Sequence, residues 1–218
     1  MRIARIDAYQ VDLPVSGGNY RLSGGRSYTS YDATIVRVTA DCGRIGWGES
    51  TPFGATYVAA HAGSARAGLA LLAPALIGMD PTHHDRLWER MQLTLSGHRA
   101  ARCTVDVACW DIAAQAAGLP LCDLLGGRVS GPVPVISSIG SDTPEAMRAS
   151  VARHRADGFM GHSIKIGASE VEGGPGLDAE RIRACLADRQ TGEWFLADAN
   201  NGLTPEHALR TLPGADPA

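Results

Sequence analysis

No apolar run in this chain of 218 residues approaches the roughly 18 that a membrane span requires. The longest, residues 69–77, reaches about half that length, so no membrane association is expected. The five cysteines (42, 103, 109, 122 and 185) contain no Cys-x-x-Cys pair. Cys103 and Cys109 fall in a helical pattern beside alanines, and the set reads as small apolar core residues rather than a zinc or redox centre. A basic stripe is also lacking: the formal net charge is −3 with acids and bases interspersed, which argues against nucleic acid as a partner. Residues 1–7 alternate as a strand does and lack the apolar core of a signal peptide, so a cytoplasmic location is expected. Among the seven histidines, His83-His84 follows Pro81-Thr82 and reads as a helix start rather than a ligand pair.

The composition, 44% hydrophobic and 20% charged, suits a globular protein with one large core or two modest ones. Residues 2–13 and 33–40 alternate like strands, and Asp41-Cys42-Gly43 turns the chain into Ile45-Gly46-Trp47-Gly48-Glu49. Between the first two lies a Gly-, Ser- and Tyr-rich stretch, residues 15–31, which reads either as a plain surface loop or as a mobile lid. From residue 61 the apolar spacing becomes helical, over about 61–76, 82–95 and 99–117. In the last of these Val105, Ala108, Cys109 and Ile112 share a face, and Gly118 is placed to cap the end. Asp106 and Asp111 are expected to be structural acids, solvated or paired with arginines.

After Gly126-Gly127 the pattern changes again. Residues 132–140 form a β-rich run, Thr143-Pro144-Glu145 opens a helix to about 157, and a strand covers 163–166. A helix over 178–189, a strand over 194–198 and a second Thr-Pro-Glu start at 204 follow. This β-α-β-α-β-α order implies a parallel sheet built from repeating units. Three such units cannot close an eight-stranded barrel, and residues 212–218 contain no obvious strand or docking helix, so the expectation is a larger protein cut short.

Two strand ends carry the chemistry. In Ser163-Ile164-Lys165-Ile166-Gly167, alternation puts Ser163 and Lys165 on one face, and in Leu196-Ala197-Asp198-Ala199-Asn200 it does the same for Asp198 and Asn200. Their separation fits one strand–helix–strand unit of about 30 residues. A lysine and a carboxylate would then stand side by side at the C-terminal mouth of a parallel sheet, where α/β barrels act. Taken singly, Lys165 also reads as an exposed strand-end lysine and Asp198 as a turn aspartate before Asn200-Asn201-Gly202.

The run 101–127, with Asp106, Ala108, Trp110-Asp111, Gly118-Leu119-Pro120-Leu121 and Leu124-Leu125-Gly126-Gly127, resembles the end of the capping domain of the enolase superfamily. The mandelate racemase/muconate lactonizing enzyme branch is the nearer match. Ile45-Gly46-Trp47-Gly48-Glu49 is similar to the hairpin before that family's specificity loop, here about residues 50–57. The resemblance implies an α+β capping domain over 1–127, followed over 128–218 by an incomplete (β/α) barrel of about three units. It further implies Mg²⁺ held by three carboxylates on successive strands, of which Asp198 resembles the first. The other two ligands, and an acid/base residue on the opposite side, would lie beyond Ala218.

That assignment has a physical logic. Removing a proton α to a carboxylate builds a doubly charged enediolate, which a divalent ion can neutralise. Mg²⁺ prefers oxygen ligands, which suits Asp198 and not the cysteines. Where many muconate-lactonizing relatives have Lys-x-Lys, this chain has Ser163-Ile164-Lys165. With Gln10-Val11-Asp12-Leu13-Pro14, Tyr20-Arg21-Leu22-Ser23-Gly24-Gly25-Arg26 and Glu49-Ser50-Thr51-Pro52-Phe53-Gly54, the pattern resembles the superfamily's cis-3-hydroxy-L-proline dehydratases. The resemblance implies Lys165 as acid/base residue, Ser163 assisting it, and Tyr20, Tyr57 and Asn200 toward a small amino-acid or carboxylate substrate. A homo-oligomer is implied for the full-length protein. Racemisation or epimerisation of proline-like amino acids or betaines is the alternative chemistry. An inactive fragment lacking the remaining metal ligands is the alternative from another class.

Overall fold

The computed structural model describes residues 1–129 and 131–215. It consists of two compact units, the first made of Met1–Pro14 and Ser30–Gly131, the second of Val15–Thr29 and Pro132–Ala218. The division expected at 127/128 meets a unit boundary at 131/132. The 15–29 segment packs with the second unit, a placement that chain order conceals.

In the first unit, β1 (Ile3–Pro14), β4 (Ser30–Ala40) and β5 (Ile45–Ser50) form an antiparallel sheet in the order β1-β4-β5. Helices α1 (Ala62–Leu76), α2 (His84–Thr94) and α3 (Arg99–Ala117) cover it. Alternation along β4 turns Val36 and Val38 into the core, where they meet Leu69, Leu72, Leu87, Met91, Val105, Ala108, Cys109 and Ile112. The glycines of Ile45-Gly46-Trp47-Gly48-Glu49 have a specific role. A Cβ on Gly46 would lie 2.0 Å from the Ala108 carbonyl oxygen, and one on Gly48 1.9 Å from that of Thr104. Strand β5 therefore touches α3 backbone to backbone, and Asp111 fixes the contact by accepting the Trp47 N–H at 3.0 Å. Asp111 is structural, as expected, through a backbone amide and Gln115 rather than an arginine. Gly118 adopts φ 68° and caps α3.

Only two cysteines behave as the sequence suggested. Cys109 and Cys185 are buried, and desolvation pushes both thiols up to about 12. Cys42, Cys103 and Cys122 are exposed, Cys103 because it lies on the outer side of α3.

In the second unit β6 (Ile136–Ile139), β7 (Gly161–Lys165) and β8 (Trp194–Asp198) form a parallel sheet in that order. Helices α5 (Pro144–Ala156), α6 (Gly174–Leu186) and α7 (Pro205–Ala215) accompany it; a short α4 (Leu121–Leu124) belongs to the first unit. β6 is shorter than the apolar run because Pro132 and Pro134 have no N–H for a ladder. Helix α6 starts earlier than expected, with Pro175 in its first turn. The stretch thought to lack a docking helix is corrected: α7 runs on through Pro213 to Ala215, whose side chain joins the core with Ile139, Met147, Val151, Ile164 and Ile182. Residues 216–218 of that stretch lie outside the described residues. Residues 15–29 hold a small hairpin, β2 (Tyr20–Arg21) with β3 (Ser27–Tyr28), in place of a plain loop.

At the strands' N-terminal ends a buried polar cluster ties the sheet to α5. Glu193 accepts two hydrogen bonds from the Arg155 guanidinium, at 2.6 and 3.0 Å, and one from the Gln190 N–H. His162, fully buried, shares a 2.7 Å hydrogen bond with Ser137. Arg155 holds the Glu193 carboxyl at about 2 against the upward push of burial, and desolvation lowers His162.

Two outcomes follow. Gly48→Ala should cost roughly 3 kcal/mol in denaturant unfolding, the upper end for overpacking, because the new Cβ meets backbone that cannot step aside. Glu193→Gln should cost about 3 kcal/mol at pH 7 by stranding Arg155. Glu193 has a depressed folded pKa, so its contribution is present above the unfolded value of 4.5 and fades as pH falls toward about 2. The stability gap between wild type and Glu193→Gln should therefore narrow across that acid window in pH-resolved urea melts.

Candidate active site

Parallel pairing sets Lys165 level with Asp198 and Ser163 level with both Ser138 on β6 and Leu196 on β8. Alternation then gives Ser138, Ser163, Lys165 and Asp198 one shared face at the C-terminal ends of the strands. Every residue of β7 is buried, so Lys165 is held at 6% exposure rather than waving in solvent as a strand-end lysine would. Its ammonium makes a short, direct ion pair with Asp198 Oδ2. Ser163 Oγ donates to the same oxygen at 3.4 Å, and Asp198 Oδ1 accepts the Asn200 N–H at 3.0 Å. Burial pushes the Asp198 carboxyl up, but the Lys165 and Asn200 hydrogen bonds outweigh it and hold the group below the usual carboxylate range.

Of the residues expected at the site, Ser163, Lys165, Asp198 and Asn200 are together. Tyr20 joins them from the β2–β3 hairpin, its hydroxyl 2.5 Å from Ser138 Oγ. Tyr57 belongs to the first unit, where its ring packs on Phe53.

Three residues escaped the sequence reading. Asp178, fully buried on α6, accepts the Gly167 N–H at 2.8 Å and the Ala168 N–H at 3.1 Å, fixing the loop that leaves Lys165. Ser23 and Arg26, on the hairpin, bond to the turn that leaves Asp198. Their signal in the sequence was faint, since a buried acid on a helix and a serine in a Gly-rich stretch have many ordinary explanations. A stronger signal was available for Lys165: among the 20 basic residues it is the only lysine.

These donors suit magnesium in part. Asp198, half-buried with an ionised carboxylate, suits a hard cation as one oxygen ligand. Among the described residues no group of three or more His, Cys, Asp or Glu is placed to hold a metal, so Asp198 can supply only part of a ligand set.

The lone lysine makes the ion pair directly measurable. An amine acetylating reagent can modify only Lys165 and the chain's N-terminal amine. Lys165 should react more slowly than the terminus in peptide-resolved mass spectrometry, and Asp198→Asn should speed Lys165 several-fold without changing the terminus.

Comparison with known proteins finds relatives along nearly the whole chain. Residues 24–126 match the family model for the N-terminal domain of mandelate racemase/muconate lactonizing enzymes. A cis-3-hydroxy-L-proline dehydratase from Roseibium aggregatum is 35% identical over 97% of this chain and 56% of its own length. An L-Ala-D/L-Glu epimerase from Bacillus subtilis is 27% identical over the same shares, 97% and 56%. A crystal structure from Roseovarius nubinhibens ISM, assigned to the mandelate racemase/muconate lactonizing enzyme group and complexed with magnesium, superposes with a TM-score of 0.94 at 74% identity. That match covers all of this chain and 58% of the other. The chain thus spans a little over half the length of the proteins it matches. With an α+β capping domain followed by parallel β/α units that end on Lys165 and Asp198, it belongs to the mandelate racemase/muconate lactonizing enzyme branch of the enolase superfamily.

Proposed function

We propose that these residues form half of an active site for removing the α-proton of a cyclic amino acid, with dehydration of cis-3-hydroxy-L-proline as the reaction. The observation that carries the reading is the buried Lys165–Asp198 pair at the parallel strand ends, with Ser163 on the same carboxylate oxygen. The 35% identity to a dehydratase of that substrate supports the choice within the family.

Lys165 Nζ, once neutral, takes the α-proton. In the cis isomer the α-hydrogen lies on the ring face opposite the 3-hydroxyl, so base and leaving group work from opposite sides. The C–H electron pair becomes the Cα=Cβ bond as the C3–O bond breaks, and water leaves after the hydroxyl gains a proton from the far face. The product enamine tautomerises to a pyrroline-2-carboxylate. A Mg²⁺ ion, with Asp198 as one ligand, would supply charge neutralisation for the substrate carboxylate. Ser163 is assigned to assist: its one hydroxyl proton, given to Asp198 Oδ2 in the free chain, is available to a substrate oxygen once it leaves that carboxylate. Tyr20 and Asn200 are assigned to the substrate side.

A second reading, epimerisation of proline-like amino acids or betaines, is favoured by the epimerase among the relatives and shares the first proton transfer. The two separate in D₂O. A chain of the relatives' full length carrying these residues should exchange the α-hydrogen of L-proline and release water from cis-3-hydroxy-L-proline. Exchange with inversion and without water release would favour the epimerase. Lys165→Ala should lower turnover roughly 1,000-fold, as expected for loss of a general base; unchanged exchange would remove Lys165 from its role. The 218 residues alone, with one metal carboxylate of the expected three, should show no dehydration.

A further inference from the structure

We infer that Ser23 and Arg26 are positioning residues that clamp the two strand-end loops together and thereby set Asp198 against Lys165. The inference rests on the role just proposed for that pair. Its basis is geometry within the second unit. Ser23 is 1% exposed and sits between the loop after β7 and the turn after β8. Its hydroxyl lies 3.1 Å from the Asp198 carbonyl oxygen and 3.3 Å from Asn200 Oδ1, and shares its proton between them. The next residue, Gly24, donates its N–H to the Gly167 carbonyl at 3.0 Å. Arg26 donates through Nη1 to the carbonyls of Ser23, at 3.1 Å, and Asn200, at 3.2 Å. One short segment therefore bonds to both chain exits.

The packing is as tight as the bonding. A Cβ on Gly167 would lie 3.0 Å from Ser23 Cβ, and one on Gly202 would lie 3.2 Å from it. Both loops narrow to glycine where Ser23 enters. The turn it grips is left-handed: Asn200 and Asn201 adopt φ of 45° and 61°, a region that asparagine enters more readily than other side chains but normally as a single residue. Two such residues in a row persist only where the surroundings hold them, and Ser23 and Arg26 both bond to Asn200 from outside the turn. Because Asn200 N–H is also the donor to Asp198 Oδ1, the clamp reaches the carboxylate through two bonds. The hairpin is thus a fixed brace at this point, which neither a plain loop nor a free lid would be.

The only lysine supplies a readout that is local and independent of catalysis. With lysine labelled at ¹³Cε, the chain gives a single Cε–Hε NMR signal. Acetylation of Lys165 relative to the N-terminal amine reports its accessibility. Ser23→Ala and Arg26→Met should each shift the Lys165 signal and raise its acetylation several-fold, with the near-ultraviolet circular dichroism of the folded chain retained. Arg26→Lys is avoided because it adds a second amine. Ser27→Ala, which removes an exposed hydrogen bond to Asn19 in the same hairpin, should change neither. The assignment is overturned if Lys165 is unaffected in both clamp variants, or if Ser27→Ala affects it equally. It is also overturned if both clamp variants label at the urea-denatured rate, since the segment would then hold the whole unit rather than the pair. The D₂O experiment addresses the reaction itself, so either conclusion can fail while the other stands.

Discussion

In the parallel ladder of β7 and β8, Lys165 lies level with Asp198, and both strands end at that level. A pleated strand sends alternate side chains to the same face, so this register puts an ammonium and a carboxylate in contact where the backbone stops pairing and loops begin. A one-residue slip of β7 would turn Lys165 into the helix-covered face, among Ile164 and Ile182, and a slip of β8 would do the same to Asp198, where a charge could not be solvated. Ser163 and Ser138 have their positions by the same alternation, and Tyr20 reaches Ser138 from the β2–β3 hairpin. Much else in the second unit preserves this register. Asp178 ties down the exit of β7, Ser23 and Arg26 tie down the exit of β8, and the Glu193–Arg155 pair anchors the opposite ends of the strands.

The first unit solves a different problem with different means. Its sheet and helices meet at van der Waals distance only because β5 carries glycines at 46 and 48, against the carbonyls of Ala108 and Thr104. Small residues along α3 (Ala101, Thr104, Ala108) complete the fit. Local chemistry matches global packing at both ends of this contact, in Asp111 receiving the strand's N–H and Gly118 ending the helix.

Much of this was legible in the sequence because it depends on periodicity and on residues with few conformational options. The 3.6-residue spacing of Val105, Ala108, Cys109 and Ile112 located α3, and Thr143-Pro144-Glu145 located the start of α5, where Thr143 accepts the Ala146 N–H. The Lys165/Asp198 face followed from alternation together with the spacing of one strand–helix–strand unit. What stayed hidden was long-range: which residues a Gly-rich segment packs against cannot be read from the segment. Ser23 and Arg26 act on residues more than 170 positions away, and nothing local marks them. The continuation of α7 through Pro213 was missed for a related reason. Proline near a helix end reads as a stop, yet tertiary packing of Ala215 and a hydrogen bond from Arg183 to the Gly214 carbonyl carry the helix past it.

The central claim is that one register builds a base and a metal ligand side by side. Its most direct test is a crystal structure of a full-length chain carrying these residues, with Mg²⁺ and cis-3-hydroxy-L-proline. The expected result is an Asp198 oxygen on the ion at about 2.0–2.1 Å, with Lys165 Nζ about 3–3.5 Å from the substrate's α-carbon. A metal bound without Asp198, or a substrate whose α-carbon lies out of reach of Lys165, would contradict it.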